Sequence, residues 1–132
     1  MERLIPQLSR TASVPNADHL QEIVASGCTA LLIARDRTRG GEIVGMLTLA
    51  VFRIPTGVRA WIEDVVVDSA ARGKGVGDAL SREALRVSAL RGARTVELTS
   101  RSTREAANRL YQRLGFQLRE TNVYRYSSAN EG

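Results

Sequence analysis

The stretch Arg72-Gly73-Lys74-Gly75-Val76-Gly77 constrains this chain more than any other. It follows the apolar run Trp61-Ile62-Glu63-Asp64-Val65-Val66-Val67. It opens a pattern in which Val76, Leu80, Ala84, Val87 and Leu90 recur at spacings of four, four, three and three, one face of a helix. The order is strand, glycine-rich turn, helix. Such a turn aims free backbone N–H groups and the positive helix end at one spot, a seat for phosphate. Gly73, Gly75 and Gly77 remove Cβ atoms that would hold an anion off the backbone. The only lysine of the chain, Lys74, lies in the turn beside Arg72 and before Asp78. A tight strand-to-helix connection without a ligand would read the same way. Two nucleotide motifs do not fit: no Gly-Lys-Ser/Thr run closes a P-loop, and the single-residue glycine gaps break the dinucleotide fingerprint.

A second motif separates these readings. Residues 104–116 run Arg-Glu-Ala-Ala-Asn-Arg-Leu-Tyr-Gln-Arg-Leu-Gly-Phe. Ser102 and Glu105 have capping-box spacing, which predicts a helix from about Thr103. Gly115 stands where a helix C-terminal glycine belongs. Ala106, Leu110 and Leu114 form the predicted buried stripe, with Ala107, Asn108 and Tyr111 on the adjacent face. The two motifs together resemble the GCN5-related N-acetyltransferase (GNAT) superfamily over residues 17–126. Its first motif is matched by Arg72, Gly75 and Gly77, its second by Ala107, Tyr111, Gly115 and Phe116.

The resemblance implies an α/β fold with a mixed, mostly antiparallel sheet and helices on both faces. It also implies acetyl transfer from acetyl-CoA to a primary amine in a ternary complex. Arg72, Gly73, Lys74, Gly75, Val76, Gly77 and Asp78 would then hold the pyrophosphate. Val65, Val66 and Val67 would offer main-chain groups to the pantetheine arm, with the Val65 N–H polarising the thioester carbonyl and Asn108 adding a hydrogen bond. Tyr111 is at the family's position for the acid that protonates the leaving thiolate. Amine attack needs a neutral amine, so Glu63 or Asp64 is the expected base. Strand alternation puts them on opposite faces, with Glu63 beside Val65 and Val67. Residues 62–68 and 72–74 also look like glucosamine-6-phosphate N-acetyltransferases of the same superfamily, a likeness that fades after the first motif. The family begins with a strand before its first helix, and that strand is missing here, or supplied by another segment or subunit. The open edge makes a homodimer an expectation.

Length and composition set the frame. At 132 residues the chain is read as a single domain over residues 1–126 with a disordered tail over 127–132. No apolar run is long enough to span a membrane, no signal-peptide core is visible, and one cysteine, Cys28, suits a reducing cytoplasm. His19 has no companions at metal-ligand spacing, so no metal is expected. The net charge is +5, which raises nucleic acid as a partner. Scattered arginines, often beside acids, and 5% aromatics argue against it. A non-catalytic acyl-CoA-binding regulatory module is the main rival to an enzyme.

Elsewhere, the pattern predicts a short helix over 2–9 and a helix over 18–26 with Leu20, Ile23 and Val24 inward. Strands are predicted over 29–35, 43–52, 59–68, 95–99 and 117–126, the second and third joined through Pro55-Thr56-Gly57.

Overall fold

In the computed structural model, which describes residues 1–128, apolar β-branched runs become strands and the periodic segments become helices. The elements are α1 (Ile5–Leu8), α2 (Ala17–Ala25), β1 (Thr29–Asp36), β2 (Glu42–Ile54), β3 (Gly57–Val67), α3 (Val76–Leu90), β4 (Thr95–Glu97) and α4 (Glu105–Arg113). They fall into two compact units divided between Thr99 and Ser100.

The first unit is a mixed sheet in the order β1-β2-β3-β4, antiparallel except for the β3–β4 pair. Asn16 caps α2 through its side chain and the His19 N–H, at 2.9 Å. The connection between β2 and β3 is the two-residue turn Pro55-Thr56.

Helices cover both faces of the sheet. On one side Leu4, the N-cap of α1, and Ile5 pack with Met46 and Val66 in a buried cluster. On the other, α3 lies across β2 and β3. A Cβ on Gly45 would stand 2.8 Å from Val76 Cγ1 and 3.1 Å from Leu80 Cδ1, so this glycine permits the close approach of α3 to the sheet. Leu47, Leu49, Ala60 and Ile62 are buried beside Leu80 and Ala84.

The predicted apolar stripes hold at their centres and fail at their ends. Leu80 and Ala84 are buried as expected, but Leu90 is 73% exposed and Val24 67% exposed. Leu90 sits in the last turn of α3, whereas α2 has no fully buried residue: Leu20 and Ile23 are half-buried and Val24 is exposed beside them. Ser81 and Ser88 take buried places on α3 instead, and the Ser88 hydroxyl donates to the Ala84 carbonyl at 2.7 Å.

The second unit holds α4 and the residues after it. Arg104 is the N-cap, with no side-chain cap, so the expected Ser102–Glu105 capping box does not form. The Asn108 Nδ2 instead donates to the carbonyls of Arg101 and Arg104, at 2.9 and 2.8 Å. No α4 residue is fully buried; Ala106 is exposed, while Leu110 and Leu114 are half-buried. The strand predicted over 117–126 is not formed. Leu118, Tyr124 and Tyr126 are each at least 88% exposed. The alternation that suggested a strand is present, but alternation alone does not make a strand without a ladder of backbone bonds to a partner. Of the tail expected to be disordered, residues 129–132 lie outside the described residues.

Candidate functional site

The register of β3 changes in the middle. Met46 pairs with Val66 and Thr48 with Glu63, so Leu47 alone faces the two residues Asp64 and Val65. This is a β-bulge. Asp64 carries it with φ +50, the only positive φ among described residues other than glycine. Aspartate is among the few side chains that tolerate this left-handed conformation.

The bulge corrects the expected alternation. Cross-strand partners share a face, and β2 runs regularly from Met46 to Thr48. Glu63 therefore shares a face with Met46 and Val66, the side that α1 covers. Val67 pairs with Gly45 and lies with Val65 on the α3 side. Glu63 and Asp64 are both exposed, Val66 is buried, and Val65 and Val67 are half-buried.

The other edge of β3 also opens here. Pairing with β4 covers only Arg59, Ala60 and Trp61, while β3 continues to Val67. From residue 62 to 67 that edge has no strand partner among the described residues, and the bulge at Asp64 and Val65 falls within this stretch.

Beyond β3, Asp68 begins a short 3-10 turn, Ser69–Ala71, which leads into the glycine stretch. Gly73 and Gly75 have φ of +81 and +79, and a Cβ at either position would meet nothing within 4 Å. Conformation, then, is the first reason for these two glycines, and space above them is open. Gly75 is the N-cap of α3 and no side chain caps the helix, so the N–H groups of Val76, Gly77 and Asp78 begin a fifteen-residue helix with their donors unclaimed by a cap. Gly77 is already helical. Arg72 and Lys74 are exposed, and Lys74 is close enough to Asp36 to help hold its carboxyl below the usual range, after the stronger effect of the Thr38 hydroxyl. Asp78 is paired with Arg82 at 2.7 Å. An uncapped helix start, open space and two cations fit an anion such as a pyrophosphate.

On α4, Tyr111 and Asn108 lie one turn apart and both are half-buried. The helix ends in a Schellman motif: the Phe116 N–H donates to the Tyr111 carbonyl at 3.0 Å and the Gly115 N–H to that of Gln112 at 3.1 Å, with Gly115 at φ +101. This brings Phe116 edge-on to Tyr111, with ring centroids 5.7 Å apart. Burial pushes the Tyr111 phenol above its ordinary pKa, partly opposed by the Arg104 charge. The phenol is thus held protonated at neutral pH.

Sequence reasoning missed four residues around this site: Gly45, and the trio Arg3, Gln7 and Asp68. Asp68 is 5% exposed and accepts from the Ala70 N–H at 3.1 Å. An isolated glycine inside an apolar strand was a usable signal for Gly45. The trio spans more than sixty positions and left no local signature.

A groove of about 400 Å³ runs between β1 and the first turns of α3, lined by residues 31–34, Ala79, Leu80 and Glu83. It does not include the bulge or the glycine turn. Cys28 and His19 are exposed. Among the described residues no cluster of potential metal ligands occurs, and no helix is long and apolar enough to cross a membrane.

Comparison with known proteins agrees with this fold. The model of the Acetyltransferase (GNAT) family matches residues 4–116. A transcriptional regulator from Bacillus halodurans C-125 is 33% identical over 82% of this chain and 72% of its own, with a TM-score of 0.74. A Trypanosoma brucei acetyltransferase is 25% identical over 92% of this chain and 87% of its own, with a TM-score of 0.76. The fold alone is shared with an aminoglycoside acetyltransferase from an uncultured soil metagenomic sample, at 22% identity, 98% and 86% coverage and a TM-score of 0.82. No curated protein matches the sequence. A family match over residues 4–116, with the fold and both motifs in place, makes this chain a member of the GNAT family, an acetyl-CoA-dependent acetyltransferase.

Proposed function

We propose that this chain is an N-acetyltransferase acting on a cationic primary amine, of a small molecule or a peptide, by direct attack in a ternary complex. One observation carries the reading: β3 is bulged at Asp64, open along residues 62–67, and followed by the uncapped turn before α3. Acetyl-CoA, when bound, supplies an activated acetyl group and a thiol leaving group. The N–H groups of residues 76–78, with Arg72, Gly73, Lys74 and Gly75, hold the pyrophosphate. The open edge of Val65, Val66 and Val67 pairs with the amide-bearing arm as an added strand would. The Val65 N–H lies at the bulge, where a donor can stabilise charge on a carbonyl oxygen.

Glu63 takes a proton from the incoming ammonium, directly or through water, and Asp64 is the alternative. Asp64 has a second reason to be where it is, since its backbone makes the bulge. That favours Glu63 as the base. Tyr111 Oη gives its proton to the departing sulfur. The Asn108 Nδ2 is engaged with backbone carbonyls, which leaves its side-chain oxygen as the atom to accept a bond from the cofactor arm. Two exposed carboxylates at the bulge attract a cation and repel phosphate, so acidic peptides and sugar phosphates are poorer acceptors. A cytoplasmic location suits a chain with one exposed thiol.

The Bacillus halodurans protein is described as a transcriptional regulator, which keeps a non-catalytic acyl-CoA-binding module as the second reading. Thiol release from acetyl-CoA with a panel of polyamines, aminoglycosides, peptides and glucosamine 6-phosphate decides between them. Amine-dependent release that disappears in Tyr111→Phe supports the enzyme. Tight acetyl-CoA binding with no release from any amine supports the module. Glucosamine 6-phosphate as the best acceptor contradicts the charge argument.

A further inference from the structure

Residues 72–75 carry two left-handed glycines and no side-chain cap. Such a turn has little stiffness of its own, so its shape is set at its ends. The far end is α3, fixed on the sheet through Gly45. The near end is residues 68–71, and its ties come from the other end of the sequence.

Gln7 and Arg3 both reach this stem from the α1 region. The Gln7 side-chain oxygen accepts from the Ser69 N–H at 2.8 Å, and its nitrogen lies 3.5 Å from Asp68 Oδ1. Arg3 Nε meets Asp68 Oδ2 at 2.9 Å. The same guanidinium donates to Glu42 and to the Ile43 carbonyl at the start of β2. Asp68, nearly buried, accepts on both oxygens, and its Oδ1 also holds the Ala70 N–H. Its own N–H donates to the Val44 carbonyl at 2.8 Å, and Ala71 is 1% exposed. The stem is therefore tied to β2 by one backbone bond and to the α1 region by two side chains.

We propose that Arg3 and Gln7 are positioning residues for the acetyl-CoA turn, acting through Asp68 and the Ser69–Ala71 backbone. The inference rests on the reading that residues 72–78 hold the pyrophosphate. A turn fixed before binding has less freedom to lose when the anion arrives. Releasing the stem leaves every phosphate-binding group in place but lets the turn wander. The loss falls on cofactor affinity, not on the chemical step.

The experiment is calorimetry with acetyl-CoA, steady-state kinetics and thermal melting on the full chain. Gln7→Met keeps size and loses the bond to Ser69. It is expected to raise the acetyl-CoA Kd and KM about five- to tenfold, the size of one lost hydrogen bond, with kcat at saturating acetyl-CoA unchanged. Asp68→Asn keeps an acceptor for the Ala70 N–H and loses the charge that faces Arg3. Its effect on Kd should match that of Arg3→Ala, and the double variant should be no worse than either alone. Ile5→Val, in the α1 cluster but making no side-chain hydrogen bond to the stem, is the control: it should lower the melting temperature and leave Kd alone. An unchanged Kd in Gln7→Met, or a rise in Ile5→Val equal to that in Gln7→Met, overturns the proposal. Gly75→Val separates the two levels. If it abolishes binding while Gln7→Met does nothing, the turn is the site and α1 does not position it. If it leaves binding intact, the reading of the turn fails and this proposal falls with it.

Discussion

The glycine turn and α4 put their specificity in different parts of the chain. In the stretch from Glu63 to Asp78 the informative features are backbone ones: a bulge, an open strand edge, two left-handed glycines and an uncapped helix start. On α4 the informative feature is one side chain, Tyr111, held by a helix-ending motif and by Phe116. The contrast teaches that substitutions in the first region should act through conformation and cofactor binding. Those at Tyr111 should act through chemistry, with the fold and cofactor affinity barely disturbed.

The largest expected effect breaks the comparison at its first half. Gly75→Val places a β-branched side chain at φ +79, where such a residue is strongly disfavoured. Acetyl-CoA binding should vanish by calorimetry while far-UV circular dichroism stays native. Gly77→Val, inside the helix, is predicted to lose affinity only through the bulk it adds near the anion, and so to be milder. Equal losses at both positions would mean that space, not conformation, governs the turn.

Tyr111→Phe tests the second half. Turnover should fall about 10²-fold, the usual size for losing an acid–base group, with acetyl-CoA affinity unchanged. Because burial raises the Tyr111 pKa, the phenol donates across neutral and mildly alkaline pH. The wild-type rate should therefore show no alkaline limb from this group below its ordinary value. Above that value an unfolded tyrosine ionises first, so this group's contribution to stability is lost as pH rises. A limb near neutral pH that disappears in Tyr111→Phe would contradict the assignment.

Phe116→Ala should reduce turnover several-fold by loosening the Tyr111 ring, and destabilise the protein by less than the roughly 3–5 kcal/mol of a fully buried Phe, because Phe116 is half-buried. Phe116→Leu should recover part of the stability and less of the rate, if ring orientation is what matters.

How much of this was legible in the sequence follows from how local each feature is. The order of strand, turn and helix, the place of the β2–β3 connection and the Gly115 helix stop depend on neighbours within a few residues, and all were readable; that Gly57 already belongs to β3, leaving a two-residue turn, was not. The bulge was not, because a register shift belongs to a pair of strands: Asp64 and Val65 look like any two strand residues until Leu47 is set opposite both. The tie from Arg3 and Gln7 to Asp68 was hidden for the same reason. The predicted strand over 117–126 failed in the opposite direction. Its local alternation was real, but a strand exists only with a partner, and Leu118 and Tyr126 stand almost fully exposed.

Two smaller effects sharpen the contrast. Asp64→Gly relieves a left-handed non-glycine residue, and the protein should be no less stable, by up to about 1 kcal/mol more. Asp64→Val should be less stable than wild type. If Asp64→Gly keeps full activity, Asp64 serves the backbone and Glu63 is the base. Asp68, whose pKa is lowered chiefly by the Ala70 N–H and further by Gln7 and Arg3, should stabilise the fold above the usual carboxylate range. That contribution is lost as pH falls through its lowered value. Asp68→Asn should accordingly flatten the acid side of the melting curve.

The most direct test is amide hydrogen exchange with and without acetyl-CoA. The account predicts new protection at residues 65–67, on the open edge of β3, and at residues 73–78, in the turn and first turn of α3, with little change along β1 and β2. Protection confined to other segments, such as the groove between β1 and α3, or none at saturating acetyl-CoA, would contradict it.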